Sequence, residues 1–156
     1  MKNKVILIFS FISIVLFIFF IKEILFKDRD TEFYQKGWEA YSKKECEMSI
    51  FYLNHVNKEK YPDILLPLGA CYVDTENFND AITIIEEALK KKIVKSQDYG
   101  NILGLLGYSY LKTLDLEKAR YYLNLAVRNG DLKSKNDLKF LDSLEQVQKN
   151  APDINQ

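Results

Sequence analysis

The sequence contains few of the residues that interrupt regular structure or build reactive centres. Its 156 residues include 6 glycines, 3 prolines, 2 cysteines, one tryptophan and one histidine. So few glycines and prolines argue against a loop-rich or disordered chain. Basic and acidic residues balance at 22 each, and from Asp28 onward the acidic residues are in excess. Without clustered positive charge, the composition does not predict nucleic-acid binding.

The scarce reactive residues also argue against catalysis and metal binding. Cys46 and Cys71 form no CxxC pair, and His55, the only histidine, has no set of ligand residues around it. No glycine-rich phosphate loop follows a strand pattern. The sequence therefore predicts no enzyme, no cofactor and no metal. The two cysteines are interpreted as small, partly buried thiols, and a disulfide is the alternative if the domain faces an oxidising compartment.

Long apolar runs are confined to the N-terminus. Positions 5–21 carry no charged residue, and as a helix they cover roughly 25 Å of a hydrocarbon core about 30 Å thick. This pattern predicts a transmembrane signal anchor at residues 1–27. A cleavable signal peptide is the alternative, but the run is followed by no small-residue cleavage site.

The orientation of this anchor depends on a nearly balanced set of flanking charges. Lys2 and Lys4 precede the apolar run, and Lys22, Lys27 and Arg29 follow it. The short basic tail is typical of a bacterial signal anchor whose N-terminus is cytoplasmic. We therefore expect an inner-membrane protein with a periplasmic or extracytoplasmic domain. A domain on the cytoplasmic side is the alternative.

Two stretches of the remaining chain match each other when one is shifted by 38 positions. They are residues 65–89 and residues 103–127. Self-similarity at a period of about 30 to 45 residues is typical of a solenoid built from helix pairs. The matched positions, predicted to pack the helices together, are Gly69 and Gly107, Tyr72 and Tyr110, Ala81 and Ala119, and Ala88 and Ala126.

This pattern of Leu-Gly, Tyr, a turn and an Ala-centred second helix resembles the tetratricopeptide repeat (TPR). The third repeat also resembles Sel1-like repeats. The resemblance implies an all-α, right-handed solenoid of about three helix pairs. In a degenerate first repeat, residues 33–62, Trp38 is assigned to the glycine position and Tyr41 to the tyrosine position, with a turn one residue short. Ser49 and Val56 are assigned to its two alanine positions.

A further helix is predicted at residues 134–149, and it would cap the solenoid. Leu138, Leu141, Leu144 and Val147 recur at helical spacing and would face the third repeat. The predicted repeat domain thus spans residues 28–149, and residues 150–156 form a flexible tail.

The resemblance implies that the concave face, formed by the first helix of each pair, binds another protein. The set of basic residues that clamps a terminal carboxylate in the chaperone-binding TPR branch is absent here. An amphipathic helix or an extended apolar segment is therefore the expected partner. The alternative is that neighbouring helices cover these positions. The predicted contact residues are Gln35, Glu39, Leu66, Ala70, Val73, Tyr108, Leu111 and Lys112, with Ser42 and Gly104 completing the rungs.

Together these features predict a membrane-anchored scaffold or adaptor that recruits a partner in a secretion, envelope-biogenesis or chaperone assembly. A structural subunit buried in a larger membrane complex is the alternative. Residues 90–95 add a lysine cluster that either contacts anionic lipid headgroups or balances the negative end of a helix dipole.

Overall fold

The computed structural model of the chain describes residues 29–150 together with residue 17. That part is all-α, as predicted, and contains no strand. No helix within it is both long and apolar enough to cross a membrane. The predicted anchor, apart from residue 17, and residues 151–156 lie outside the described residues.

The described part of the chain forms seven α-helices and one short 3-10 turn. The helices are α1 (Arg29–Ser42), α2 (Cys46–Leu53), α3 (Leu65–Asp74), α4 (Phe78–Lys90), α5 (Tyr99–Lys112), α6 (Leu116–Arg128) and α7 (Ser134–Asn150), and the 3-10 turn is at Pro62–Ile64.

Tight turns join the helices into the pairs α1–α2, α3–α4 and α5–α6, an arrangement consistent with a helical solenoid. Each turn contains one residue with positive φ: Lys44 (62°), Glu76 (59°) and Leu114 (64°). The next residue's N–H donates to a carbonyl five positions back, as from Asn77 to Tyr72 at 2.8 Å. This backbone pattern is the Schellman motif, which satisfies carbonyls left free at a helix end. The three turns are therefore the same structure repeated.

Glycines place the two helices of each pair in close contact. A Cβ at Gly69 would lie 2.6 Å from Cγ1 of Ile85. The equivalent contacts join Gly37 to Leu53 and Gly107 to Leu123, and each partner follows its glycine by 16 positions. The three pairs thus share one internal register.

This register corrects the predicted alignment of the first repeat. Gly37, not Trp38, occupies the glycine position, and Ala40, not Tyr41, aligns with Tyr72 and Tyr110. The first turn has its full length, because Lys44 aligns with the positive-φ residues of the other turns. The first and second repeats are therefore offset by 32 residues throughout, and the assignments of Ser49 and Val56 stay in register.

The core consists of two apolar clusters along the stack of helices. One joins the first two pairs around Leu53, Leu65 and Leu68, and the other joins the last two pairs and α7 around Leu106 and Leu123. The alanines at repeat positions allow close helix approach, because a methyl group occupies little space between backbones. The four with 0% exposure are Ala81, Ala88, Ala119 and Ala126.

Helix α7 covers the end of the second cluster with part of its predicted apolar face. Leu141 is fully buried, and Leu138 and Leu144 are half-buried against the cluster. Burial of one leucine contributes about 2 kcal/mol. Val147 is 68% exposed, so the predicted contact of the last turn with the third pair is not made.

Cys46 and Cys71 form a disulfide between α2 and α3, with Cα atoms 4.9 Å apart. The interpretation of these residues as separate thiols is therefore wrong, and the alternative is correct. The bond joins the first helix pair to the second. Sequence spacing could not reveal this proximity, because it depends on how successive pairs stack.

Candidate functional site

The candidate binding face is formed by the first helices of the pairs, α1, α3 and α5. Residues at equivalent positions in the shared register form rungs across these helices. Leu66, Ala70 and Val73 of α3 align with Gly104, Tyr108 and Leu111 of α5, which lie 38 positions later. Counting back 32 positions gives the corresponding α1 residues as Tyr34, Trp38 and Tyr41.

The predicted α1 rung of Gln35, Glu39 and Ser42 is thus displaced by one residue. Gln35 and Glu39 are exposed. Glu39 forms an ion pair with Lys43 at 2.6 Å, and the hydrogen bond from this lysine lowers the pKa of Glu39. Glu39 lines a groove of about 270 Å³ between α1 and α2. This groove is lined by the first helix pair alone, so Gln35 and Glu39, which were predicted to contact the partner, lie beside the binding face and not on it.

Three aromatic side chains of α1 occupy the corresponding positions on the binding face. The ring of Trp38 lies 6.2 Å from the ring of Tyr34 and 5.9 Å from that of Tyr41. All three residues are half-buried. Within the described part of the chain, Trp38 Nε1 is the only buried side-chain nitrogen or oxygen without a hydrogen-bond partner. We call Tyr34, Trp38 and Tyr41 the aromatic row.

Tyr34 fixes one end of this row to the connection between the first and second helix pairs. Its hydroxyl donates a hydrogen bond of 2.6 Å to Asp63 Oδ2, and its ring lies 4.6 Å from that of Tyr61. The hydrogen bond and burial beside the Asp63 carboxylate raise the pKa of Tyr34 to about 12. Tyr34 therefore remains a neutral donor at neutral pH.

The middle of the face contains both surface and core residues. Leu66 and Ala70 are half-buried and retain an exposed portion. Val73 is 9% exposed and Leu111 is 2% exposed, and both belong to the second core cluster. These two predicted contact residues are therefore packing residues, as the alternative interpretation proposed.

The far end of the face presents an aromatic pair with a cation. The ring of Tyr108 packs edge-on against Phe78 at 5.9 Å. Lys112 Nζ lies 5.5 Å from the Phe78 ring centre and 5.9 Å from that of Tyr108. This geometry permits a cation–π contact and keeps the lysine stem along an apolar surface.

A pocket of about 250 Å³ lies between α5 and the start of α7. Asp131 forms part of its wall and accepts a 2.6 Å hydrogen bond from the buried Ser134 hydroxyl. A Cβ at Gly104 would collide with the Asp131 carboxylate. Burial, and then the nearby Asp131, raise the pKa of Asp137 in the same pocket. The Asp131 side chain thus covers Gly104, which was predicted to belong to the binding face. In the sequence, the glycine within α5 is the only indication of this contact.

The chemistry of this face suits binding. It combines aromatic rings and apolar side chains with the charged Lys112 beside Tyr108. No group of His, Cys, Asp and Glu able to hold a metal ion occurs among the residues the structure describes. The raised pKa of Tyr34 also moves it away from the range where a general acid or base works at neutral pH.

No family model matches the sequence, and a search of curated proteins finds no match. The TPR resemblance therefore depends on the repeated glycines, turns and alanines described above.

Proposed function

We propose that the chain is a membrane-anchored scaffold or adaptor, with a right-handed, TPR-like solenoid capped by α7 and held to the inner membrane by residues 1–27. Its first-helix face binds a protein partner in a membrane-associated assembly of the secretion, envelope-biogenesis or chaperone type. The function is non-enzymatic and requires no cofactor.

The strip of half-buried apolar and aromatic residues along the first helices supports this proposal. It begins at the aromatic row, continues through Leu66 and Ala70, and ends at Tyr108. Rigid aromatic side chains give large contact areas at a small entropic cost, which makes them effective binding residues. An amphipathic helix or an extended apolar segment complements this strip.

The Cys46–Cys71 disulfide supports an extracytoplasmic location for the domain. Disulfides persist in the periplasm and outside the cell, whereas cytosolic reductants keep thiols reduced. The basic tail before the apolar run points to the same orientation.

A photo-crosslinking amino acid at Lys112 tests the binding face. Lys112 is exposed on this face, whereas Asn124 is exposed on α6, a second helix of a pair. The full chain, irradiated in cells, should form a discrete protein adduct from position 112 and not from position 124. Equal adducts from both positions, or none from either, would contradict the proposed site.

A matched pair of charge substitutions provides an independent test. Ala70→Glu places a carboxylate in the middle of the strip, and Thr83→Glu places one on the exposed side of α4. With folding confirmed by circular dichroism, Ala70→Glu should abolish the adduct and Thr83→Glu should retain it.

The alternative function is that of a structural subunit, with the same face permanently covered. The exposed residues Tyr121 and Phe140 on α6 and α7 would then be interface residues as well. Size-exclusion chromatography of the detergent-extracted chain distinguishes the two. A subunit is recovered only within a large complex of fixed stoichiometry, whereas an adaptor also has a free pool.

A further inference from the structure

Four segments lie together along one edge of the domain, which we call the entry edge. They are the start of α1, where residues 1–28 join the domain, and the three connections between pairs and into α7. Antiparallel helix pairs place the N-termini of first helices beside the C-termini of second helices. The segments are residues 29–31, 57–63, 90–98 and 128–135.

Specific contacts confirm that these segments are neighbours. Thr31 Oγ1 lies 2.9 Å from the Tyr61 hydroxyl, which joins the start of α1 to the first connection. Lys91 Nζ lies 2.8 Å from Glu59 Oε1, which joins the first connection to the second. A Cβ at Gly100 would lie 2.5 Å from the Asn129 carbonyl oxygen, so the start of α5 touches the third connection.

The entry edge carries an excess of positive charge. Segment 90–98 contains four lysines and one aspartate, and segment 128–135 contains three basic residues and one aspartate. Six of these cations are exposed and form no ion pair with another described residue. They are Lys90, Lys92, Lys95, Arg128, Lys133 and Lys135.

Several carboxylates of the same edge are already engaged within the domain. Glu59 pairs with Lys91, Asp63 accepts the Tyr34 hydroxyl, and Asp131 accepts the Ser134 hydroxyl. Lys91 thus balances the charge of Glu59, and Asp63 and Asp131 keep their charges while contacting groups of the domain. The six cations face solvent.

The opposite edge, formed by the turns within pairs, has a different character. Segment 74–80 contains Asp74, Glu76 and Asp80 and no basic residue. In the other two turns, lysines and carboxylates balance. The charge of the domain is therefore distributed asymmetrically, with its positive side at the entry edge.

We propose that the entry edge docks on anionic lipid headgroups of the membrane that holds residues 1–27, an inference that depends on the anchor in the proposed function. Only seven residues, 22–28, separate the apolar run from α1. At no more than about 3.5 Å per residue, they hold the start of α1, and with it this side of the domain, roughly 25 Å or less from the bilayer. Basic residues so close to an anionic surface are attracted to it. Docking directs the disulfide-bearing opposite edge away from the lipid.

Exposed aromatic residues beside the same entry point complement the lysines. Phe51 is 54% exposed, and its ring lies 5.0 Å from that of His55. His55 in turn contacts Phe33, in the first turns of α1, at 5.5 Å between ring centres. Aromatic rings are favoured at the boundary between headgroups and hydrocarbon.

Energy transfer from the domain to headgroup-labelled lipid tests the proposed docking. A fluorophore is attached to a cysteine introduced at Ser96 on the entry edge or, as the control, at Asn77 on the opposite edge. Both positions are exposed, and the native cysteines are joined in the disulfide. The full chain is reconstituted in nanodiscs of phosphatidylcholine, with or without phosphatidylglycerol.

Docking predicts that transfer from position 96 increases when phosphatidylglycerol is present, while transfer from position 77 does not. The increase should be lost at about 1 M salt, where the Debye length is about 3 Å. It should also be lost in the triple variant Lys90→Gln, Lys92→Gln and Lys95→Gln. The control triple variant Lys43→Gln, Lys44→Gln and Lys118→Gln, with all three positions outside the entry edge, should retain it.

Equal transfer from position 96 in both lipids overturns the docking proposal, as does an increase that the first triple variant retains. Failure of the anchor gives a different result, since the chain would then not co-purify with nanodiscs of either composition. The two proposals can therefore fail separately.

Discussion

Gly107 and Leu123 bring α5 and α6 into backbone contact. A Cβ at Gly107 would lie 2.8 Å from the Leu123 backbone nitrogen and 2.8 Å from its Cγ. Distances this short require a backbone shift, because the nitrogen belongs to the adjacent helix. Gly69 differs, since its nearest neighbours are side-chain atoms: Cγ1 of Ile85 would lie at 2.6 Å, and the next two contacts are also with isoleucine side chains.

We therefore predict that Gly107→Ala destabilises the domain more than Gly69→Ala does. Overpacking costs about 1–3 kcal/mol, and alanine returns up to about 1 kcal/mol in helix propensity. Gly107→Ala should lower the free energy of unfolding by about 2 kcal/mol, and Gly69→Ala should lower it by about 1 kcal/mol, because only side-chain atoms have to move there. Urea unfolding of the full chain in detergent, followed by circular dichroism, measures both. Equal losses would mean that the two contacts are alike.

The same glycines show how much of the fold could be predicted from the sequence. Gly69 and Gly107 align because tyrosines and alanines recur at fixed distances from them, so the second and third pairs could be predicted. The first pair has alanine, serine and valine at those places, at Ala40, Ser49 and Val56. By sequence alone, the nearby Tyr41 fits the tyrosine position, and this assignment displaces the predicted α1 positions by one residue.

The one-residue error in the register of α1 affects the predicted binding residues more than the predicted fold. One residue along a helix is a rotation of about 100°, enough to replace Tyr34 and Trp38 with Gln35 and Glu39. The burial of Val73 and Leu111 could not be predicted either, because α3 and α5 are apolar on most sides. Only the stacking of neighbouring helices determines which of them contact solvent.

The disulfide between Cys46 and Cys71 should be a major contributor to stability. It closes a loop with a sequence separation of 25, and the loss of chain entropy in the unfolded state corresponds to about 3 kcal/mol. A reductant should therefore lower the melting temperature of the wild-type chain. The double variant Cys46→Ala, Cys71→Ala should melt at the lower temperature with or without reductant. A wild-type melting temperature that does not respond to reductant would contradict this.

The hydrogen bond from Tyr34 to Asp63 should make stability depend on alkaline pH. The pKa of Tyr34 is raised from 10.0 to about 12 in the folded state. Its stabilising contribution is therefore complete below pH 10 and is lost as the pH rises towards 12.

Tyr34→Phe isolates this contribution from that of the other tyrosines. Below pH 10, the variant should be less stable by about 1 kcal/mol, the typical net value of such a bond. The difference between wild type and variant should shrink as the pH approaches 12. Urea unfolding of both proteins at matched pH values gives this difference, and a constant gap across the range would show that Tyr34 does not titrate as described.

Arg120 should hold α7 against α6. Its Nε and Nη2 donate to the two oxygens of Glu145 at 3.2 and 2.7 Å, and Nη2 also donates to Asp142 at 2.7 Å. A lysine cannot form this two-point contact. We predict that Arg120→Lys and Arg120→Gln both accelerate amide hydrogen exchange in α7, with little change in α3. Since the side chains are partly exposed, the loss should not exceed about 1 kcal/mol, or roughly fivefold in local opening. Lys118→Gln is the matched control, because Lys118 pairs with Asp115 and not with α7, and it should leave exchange in α7 unchanged. If Arg120→Lys preserved protection, a single charge would be sufficient, and the paired hydrogen bonds would contribute nothing measurable.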